Sequence, residues 1–223
     1  MAVLFRIGII LSILLASHGG ATELGPLPAH IATLVKPTVL KEVIDDRTVM
    51  AHAHLENYSS GQDSIKKYSY YAIMLVHNSL AQTRKIMIDY HLYPKMIPYV
   101  DRADYTQATR TLEIEGGIWM FKLVSSVFFE ERGDRWIHYS IIRGHFQGLS
   151  GDLFFESLGE KGTLVFLRGE ILGQKWPPTF VIERGAEIIF SFTGKRMRSF
   201  IESLKFEGAN HDPEIPRPQR RLR

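Results

Sequence analysis

Residues 179–204, TFVIERGAEIIFSFTGKRMRSFIESL, place Ile182, Ala186, Ile189 or Phe190, Thr193, Met197, Phe200 or Ile201 and Leu204 at steps of three and four. On a helix of 3.6 residues per turn those positions fall on one wide stripe, so the stretch is predicted as a long amphipathic helix. Gly185 and Gly194 weaken it by about 1 kcal/mol each relative to alanine. Phe206-Glu207-Gly208 supplies a stop. A helix with such a stripe needs an apolar surface to lie on, and the only one the rest of the chain offers is a sheet.

That sheet is read from the strands upstream. Residues 102–108 and 110–115 are extended, the second with strict alternation. Gly116-Gly117 interrupts before a long run over 118–131, Gly133-Asp134 turns, and 135–143 forms another strand. A Gly-bearing connection over 144–150 leads to a hairpin of 151–158 and 162–172 around Gly159-Glu160-Lys161. Nearer the start, 48–57 and 65–77 flank a Gly-centred turn at 59–63 and read as a hairpin whose second strand, nearly all apolar late on, sits deeper in the sheet. Between these groups Asn78-Ser79 opens a helix, with Ser79 and Gln82 at capping-box spacing. It runs to about Asp89, with Ile86 and Leu80 or Met87 on its buried side, until Tyr93-Pro94 breaks it and 94–99 begins a second short helix. Many short strands joined by tight turns imply one meandering antiparallel sheet.

The chain ends differ from this body. Ile7 to Ala16 is an apolar run of ten residues after a single basic residue, Arg6. It is shorter than the roughly 18 residues that span a bilayer and is followed by small residues. Residues 1–21 are therefore expected to be an export signal, with an uncleaved anchor as the alternative, and the mature protein is expected to be periplasmic or secreted. Residues 22–47 are expected to be a proline-bearing linker in which 39–44 form a short strand or a turn of helix, 48–207 the folded domain and 208–223 a basic, disordered tail. Most of the formal net charge of +3 comes from residues 213–223, where Arg217, Arg220, Arg221 and Arg223 face Glu214 alone. The nearly neutral body lacks the basic face that nucleic-acid binding needs, and the tail is the candidate for peripheral membrane contact. The absence of cysteine excludes disulfides, thiol nucleophiles and thiolate metal sites.

The order of strands, two short helices, antiparallel strands and one long terminal helix resembles the α+β helix-grip fold of the START-like (SRPBCC) superfamily, which includes polyketide cyclases, coenzyme Q-binding proteins and Bet v 1-like proteins. His77-Asn78-Ser79 before the first helix, the segment Asp89 to Pro98 (DYHLYPKMIP) with its "D…YP…P" pattern, and Gly151-Asp152-Leu153-Phe154-Phe155 followed by Gly162-Thr163-Leu164-Val165-Phe166 carry the likeness. It covers about residues 48–204. The strand beginning at Thr48 and the export signal depart from the usual pattern. The resemblance implies a curved sheet gripping the helix, with a gap between them suited to a small hydrophobic or lipid ligand. The walls of that gap are expected among Trp119, Phe121, Leu123, Trp136, Tyr139, Arg143, Phe154, Phe155, Phe166, Arg168, Phe190 and Met197. A one-residue slip inverts every strand, so the face that lines the gap stays open at this point.

Candidate chemistry is sparse. His52 and His54 share a strand face, continued by Glu56, without a further ligand at supporting spacing, and a polar strand surface explains them without a metal. Glu113 and Glu115 read as the polar side of a half-buried strand. Arg143 or Arg168, if inward, needs a carboxylate or an acidic head group, and Glu170 is the expected partner of Arg168. His138 and Tyr139 are candidates for acid–base work of the cyclase kind. No phosphate-binding Gly loop and no Gly-x-Ser-x-Gly elbow occurs. The reading that follows is a non-enzymatic exported protein that binds or carries a hydrophobic molecule, without cofactor or metal. The alternatives are a cyclase- or aromatase-like enzyme in the same gap and an interaction module with a filled core. Oligomeric state has no readable signal.

Overall fold

A computed structural model describes residues 28–58, 65–118, 121–174 and 179–204. Residues 1–21, expected to be an export signal, and the Arg-rich tail lie outside the described residues. The chain divides into one unit ending at Leu34 and a second from Val35 onward. In the first, α1 (Ala29–Ala32) is a single turn closed by Thr33 Oγ1 donating to the Ala29 carbonyl.

The second unit begins with α2 (Pro37–Asp45), started by a proline at its first position. The segment expected as a linker thus carries helices. After α2 come β1 (Met50–Asn57) and β2 (Lys66–Val76), then α3 (Leu80–Met87), a 3₁₀ turn and α4 (Tyr93–Met96). Six further strands follow: β3 (Val100–Thr106), β4 (Thr111–Ile118), β5 (Phe121–Glu131), β6 (Trp136–Gly144), β7 (Ser150–Ser157) and β8 (Thr163–Gly173). The chain closes with α5 (Thr179–Ser203). As expected, Ser79 caps α3 by accepting from the Gln82 N–H, and Ile86 and Met87 are buried. Gly116 and Gly117 lie inside β4 rather than between strands; an added Cβ at Gly116 would stand 2.0 Å from the Tyr99 carbonyl oxygen, which accepts from the Gly117 N–H at 2.9 Å.

All eight strands form one antiparallel sheet in the order β1-β2-β8-β7-β6-β5-β4-β3. The β2–β8 pairing joins the first hairpin to the last strand, so β2, β8 and β7 lie inside the sheet, and their apolar residues point to both faces. On one face Met74, Val76, Val165, Leu153 and Phe155 meet Ile201, Met197 and Phe200 of α5, with Ile86, Met87 and Met96 from the short helices. On the other face Ile73, Leu75, Leu164 and Phe166 are buried as well. Helix α2 packs against β2, and its buried Leu40, Val43 and Ile44 join neither cluster on the α5 side, so α2 belongs to this convex face. The architecture is α+β, a curved antiparallel sheet with a long terminal helix across its concave side.

Between β7 and β8, Gly162 adopts φ 114°, a backbone that side chains rarely take, and an added Cβ would stand 2.2 Å from the Val76 carbonyl oxygen. Gly162→Ala is expected to cost roughly 2–3 kcal/mol, read as a lower midpoint in urea unfolding at unchanged slope. An unshifted midpoint would show that the turn is not fixed as described.

Candidate functional site

Helix α5 is seated unevenly. At its C-terminal end Ile201 is fully buried against Val76, Met96 and Phe155. At Gly194 an added Cβ would stand 2.6 Å from Val49 Cγ1, so the missing side chain brings the helix close to the residue that leads into β1. Towards the N-terminus Ile182, Ala186 and Phe190 are partly buried and pack against Leu55, Tyr68, Tyr70 and Tyr139, with Val127, Phe129, Ile141, Leu167 and Ile171 partly buried beside them. We call this layer of partly buried apolar side chains between α5 and the sheet, from Phe190 to Ile182, the wedge.

The floor of the wedge is built by two tyrosines and two glycines. Gly151 and Gly169 are directly opposite each other on β7 and β8. Tyr70 from β2 and Tyr139 from β6 lay their hydroxyls over them. An added Cβ on Gly169 would stand 2.6 Å from each hydroxyl oxygen, and one on Gly151 would stand 2.5 Å from that of Tyr139. Tyr139 donates to the Arg168 carbonyl at 2.9 Å, and the two hydroxyl oxygens are 2.5 Å apart. Phe190 of α5 stacks on the Tyr70 ring, with centroids 4.6 Å apart and planes inclined by 17°. Burial pushes the Tyr70 hydroxyl up to about 12 and that of Tyr139 well above its ordinary value, since the phenolate would lose its hydration.

Of the expected wall residues, Tyr139 and Phe190 meet in the wedge, while Met197 packs at its closed end. Leu123, half-buried, is on the concave side opposite Gly116. Phe121 opens β5, and Trp119 lies outside the described residues. Trp136, Phe154, Phe166, Arg143 and Arg168 are placed on the convex face instead. Trp136, Phe154, Phe166 and Tyr71 form a row there with successive centroids 5.7, 6.3 and 6.0 Å apart. Arg143 pairs with Glu113 at 2.9 Å. Arg168 bonds Asp152, its cross-strand neighbour, through Nε at 3.0 Å and Nη2 at 2.8 Å, rather than the expected Glu170. The wedge residues that sequence reasoning missed are Tyr68 and Tyr70 on β2 and the glycine pair. Their signal was the Tyr-Ser-Tyr alternation, which puts both rings on one face.

His138 and Tyr139 are neighbours on one strand, so they face opposite ways. His138 Nδ1 lies 3.0 Å from Asp152 Oδ1 on the convex side, which also accepts from Trp136 Nε1 at 2.9 Å. The acid–base set considered for a cyclase is therefore not assembled at the wedge. His52 and His54 also meet carboxylates: His52 Nδ1 is 3.3 Å from Glu187 and His54 Nδ1 is 3.2 Å from Glu183, both on α5. Glu183 also accepts the Leu55 N–H of the edge strand at 2.8 Å. Among the described residues no group of three or more His, Asp and Glu side chains is arranged to hold a metal. A separate hollow of about 440 Å³ lies between α3 and the end of α5, lined in part by Gln82, Ile86, Leu92 and Leu204.

This arrangement is the START-like helix-grip fold. A START superfamily protein from Mycobacterium smegmatis superposes with a TM-score of 0.54 at 18% identity, covering 61% of this chain and 98% of that one. The Bet v 1-like likeness has its counterpart in Ara h 8.0201, at TM-score 0.50 and 12% identity over 61% of this chain and 99% of that one. No family model matches the sequence, and no curated protein does.

Two predictions test the geometry. Gly169→Ala must displace both tyrosyl hydroxyls and is expected to cost about 1–3 kcal/mol with a changed near-UV tyrosine signal; an unchanged melting temperature and spectrum would refute the niche. Burial alone would raise the Asp152 pKa, but hydrogen bonds from His138, Trp136 and Arg168 outweigh it and hold it below 3.8. A carboxyl whose pKa is lower in the folded state stabilises above its unfolded value and loses that contribution as pH falls through the folded one. Asp152→Asn is expected to cost about 1–2 kcal/mol at pH 7, with the difference from the parent shrinking below pH 4. A difference constant down to pH 2 would show that the charge carries none of it.

Proposed function

We propose that the protein binds a lipid or other small hydrophobic molecule in the wedge between α5 and the sheet. The observation that carries this reading is the run of apolar side chains that stay partly buried between α5 and the sheet, Ile182, Ala186 and Phe190 beside Ile141, Leu167 and Ile171, over a buried tyrosine pair. Apolar surface left partly open in a concave, preformed space is what a hydrophobic ligand removes from water. The START-like fold supports the same reading. The apolar leader read at residues 7–16 supports a place of action outside the cytoplasm, and the Arg-rich tail supports contact with an anionic membrane surface there. A carrier or storage role fits these features better than catalysis, because His138 and Arg143 face away from the wedge.

Native mass spectrometry of the purified chain, with organic extraction of what it carries, tests the proposal. A bound hydrophobic molecule is expected, and Ala186→Trp, which fills the wedge from α5, is expected to lower its occupancy at least tenfold while the far-UV spectrum is kept. An empty protein that takes up no hydrophobic probe would overturn the reading.

A further inference from the structure

The two hydroxyls on the wedge floor can be assigned a direction by counting protons. Tyr139 has one proton, and the Arg168 carbonyl oxygen 2.9 Å away has none to give, so the Tyr139 proton is committed there. The Tyr70 oxygen is 2.5 Å from that of Tyr139, and its own single proton is the one left to bridge them. Tyr70 therefore donates to Tyr139, which donates to the carbonyl. The Tyr70 oxygen keeps lone pairs and no proton: towards the wedge it is an acceptor only. Burial raises its pKa to about 12, so the chain keeps both protons at neutral pH.

The charges around the wedge decide the rest. The two arginines expected to hold an acidic head group, Arg143 and Arg168, lie on the convex face with Glu113 and Asp152. At the closed end Arg84 bonds Glu131, and Arg198 bonds the Arg47 carbonyl. On α5 Arg184, Lys195 and Arg196 are exposed to solvent. Along the concave side of β2 the lysine is Lys66, four residues from Tyr70, or about 13 Å of extended strand. Among the described residues no cation reaches Tyr70, so a carboxylate or phosphate placed there would be desolvated without one and would set its lone pairs against those of the tyrosine.

We infer that the ligand of the wedge is uncharged and carries a hydroxyl group that donates to Tyr70 Oη, as in a long-chain or polycyclic lipid alcohol. This rests on the binding reading above. The ligand hydroxyl extends the existing chain to ligand O–H, Tyr70, Tyr139 and the Arg168 carbonyl, each donor strengthening the next. Stacked Phe190 covers Tyr70 and fixes where the polar end stops, leaving the apolar part to lie along Ile182 and Ala186.

The test uses the full chain with Nile red, a neutral dye, displaced at pH 8 by three matched probes: 1-dodecanol, methyl dodecanoate and dodecanoate. The alcohol is expected to displace the dye at about five- to tenfold lower concentration than the ester, which is neutral but has no proton to donate. It is expected to exceed the charged acid by at least tenfold. In Tyr70→Phe the advantage of alcohol over ester is expected to vanish. In Tyr139→Phe the Tyr70 proton is released to the wedge, so the ester is expected to gain on the alcohol, a reversal that a merely structural role would not produce. Dodecanoate competing as well as dodecanol, or an alcohol-to-ester ratio unchanged in both variants, would overturn the inference while leaving hydrophobic binding intact. Failure of Nile red and all three probes to bind would overturn the binding reading itself, and the inference with it.

Discussion

A straight helix can be packed tightly on a curved sheet along only part of its length, and in this protein the sequence decides which part. Gly194 removes the one side chain that would hold α5 away from Val49, and Ile201 then reaches the core formed by Val76, Met96 and Phe155. At the other end Ile182, Ala186 and Phe190 rest on the tyrosine-lined part of the sheet without being fully buried, and Phe190 stacks on Tyr70. The helix-propensity cost of Gly194, about 1 kcal/mol against alanine, is offset by the close approach it permits.

The niche beneath Phe190 obeys the same logic at a smaller scale. Two glycines opposite each other remove Cβ atoms from the concave surface, and two tyrosyl oxygens occupy the vacated space. Glycine is a poor strand residue, so the pair weakens the centre of the sheet. The hydrogen bonds and the stack on Phe190 return part of that cost, and they leave a polar point on an otherwise apolar floor. Arg168 serves both faces: its carbonyl ends the tyrosine chain, while its guanidinium holds Asp152 on the convex side.

The element order was legible because each strand of the meander is bounded by glycine or charged turns and α5 carries its stripe in plain view. Facing was not legible. Strict alternation identifies an inner side only when one side is polar, and in β2, β7 and β8 it is not: Ile73 and Met74, Phe154 and Phe155, Val165 and Phe166 are apolar neighbours buried on opposite faces. The cause is α2, which packs against β2 from the convex side in a stretch that read as a linker because of its prolines, although Pro37 starts a helix there. Trp136, Phe154 and Phe166 were expected in the gap for the reason that makes them good core residues, and the core they belong to is on the other side. The tyrosine niche depends on the β2–β8 and β6–β7 registers together, which local pattern does not encode.

The two ends of α5 are also held by different kinds of force. The C-terminal end is held by packed apolar side chains and by Glu202, which accepts from Arg47 at 2.6 Å and from the His77 N–H at 2.8 Å. The N-terminal end is held at its rim by Glu187 near His52 and by Glu183 near His54 and on the Leu55 N–H, with the histidine side chains more than half exposed. Water can replace such exposed polar contacts at little cost, whereas separating Ile201 from its neighbours would expose apolar area at about 25 cal/mol per Å².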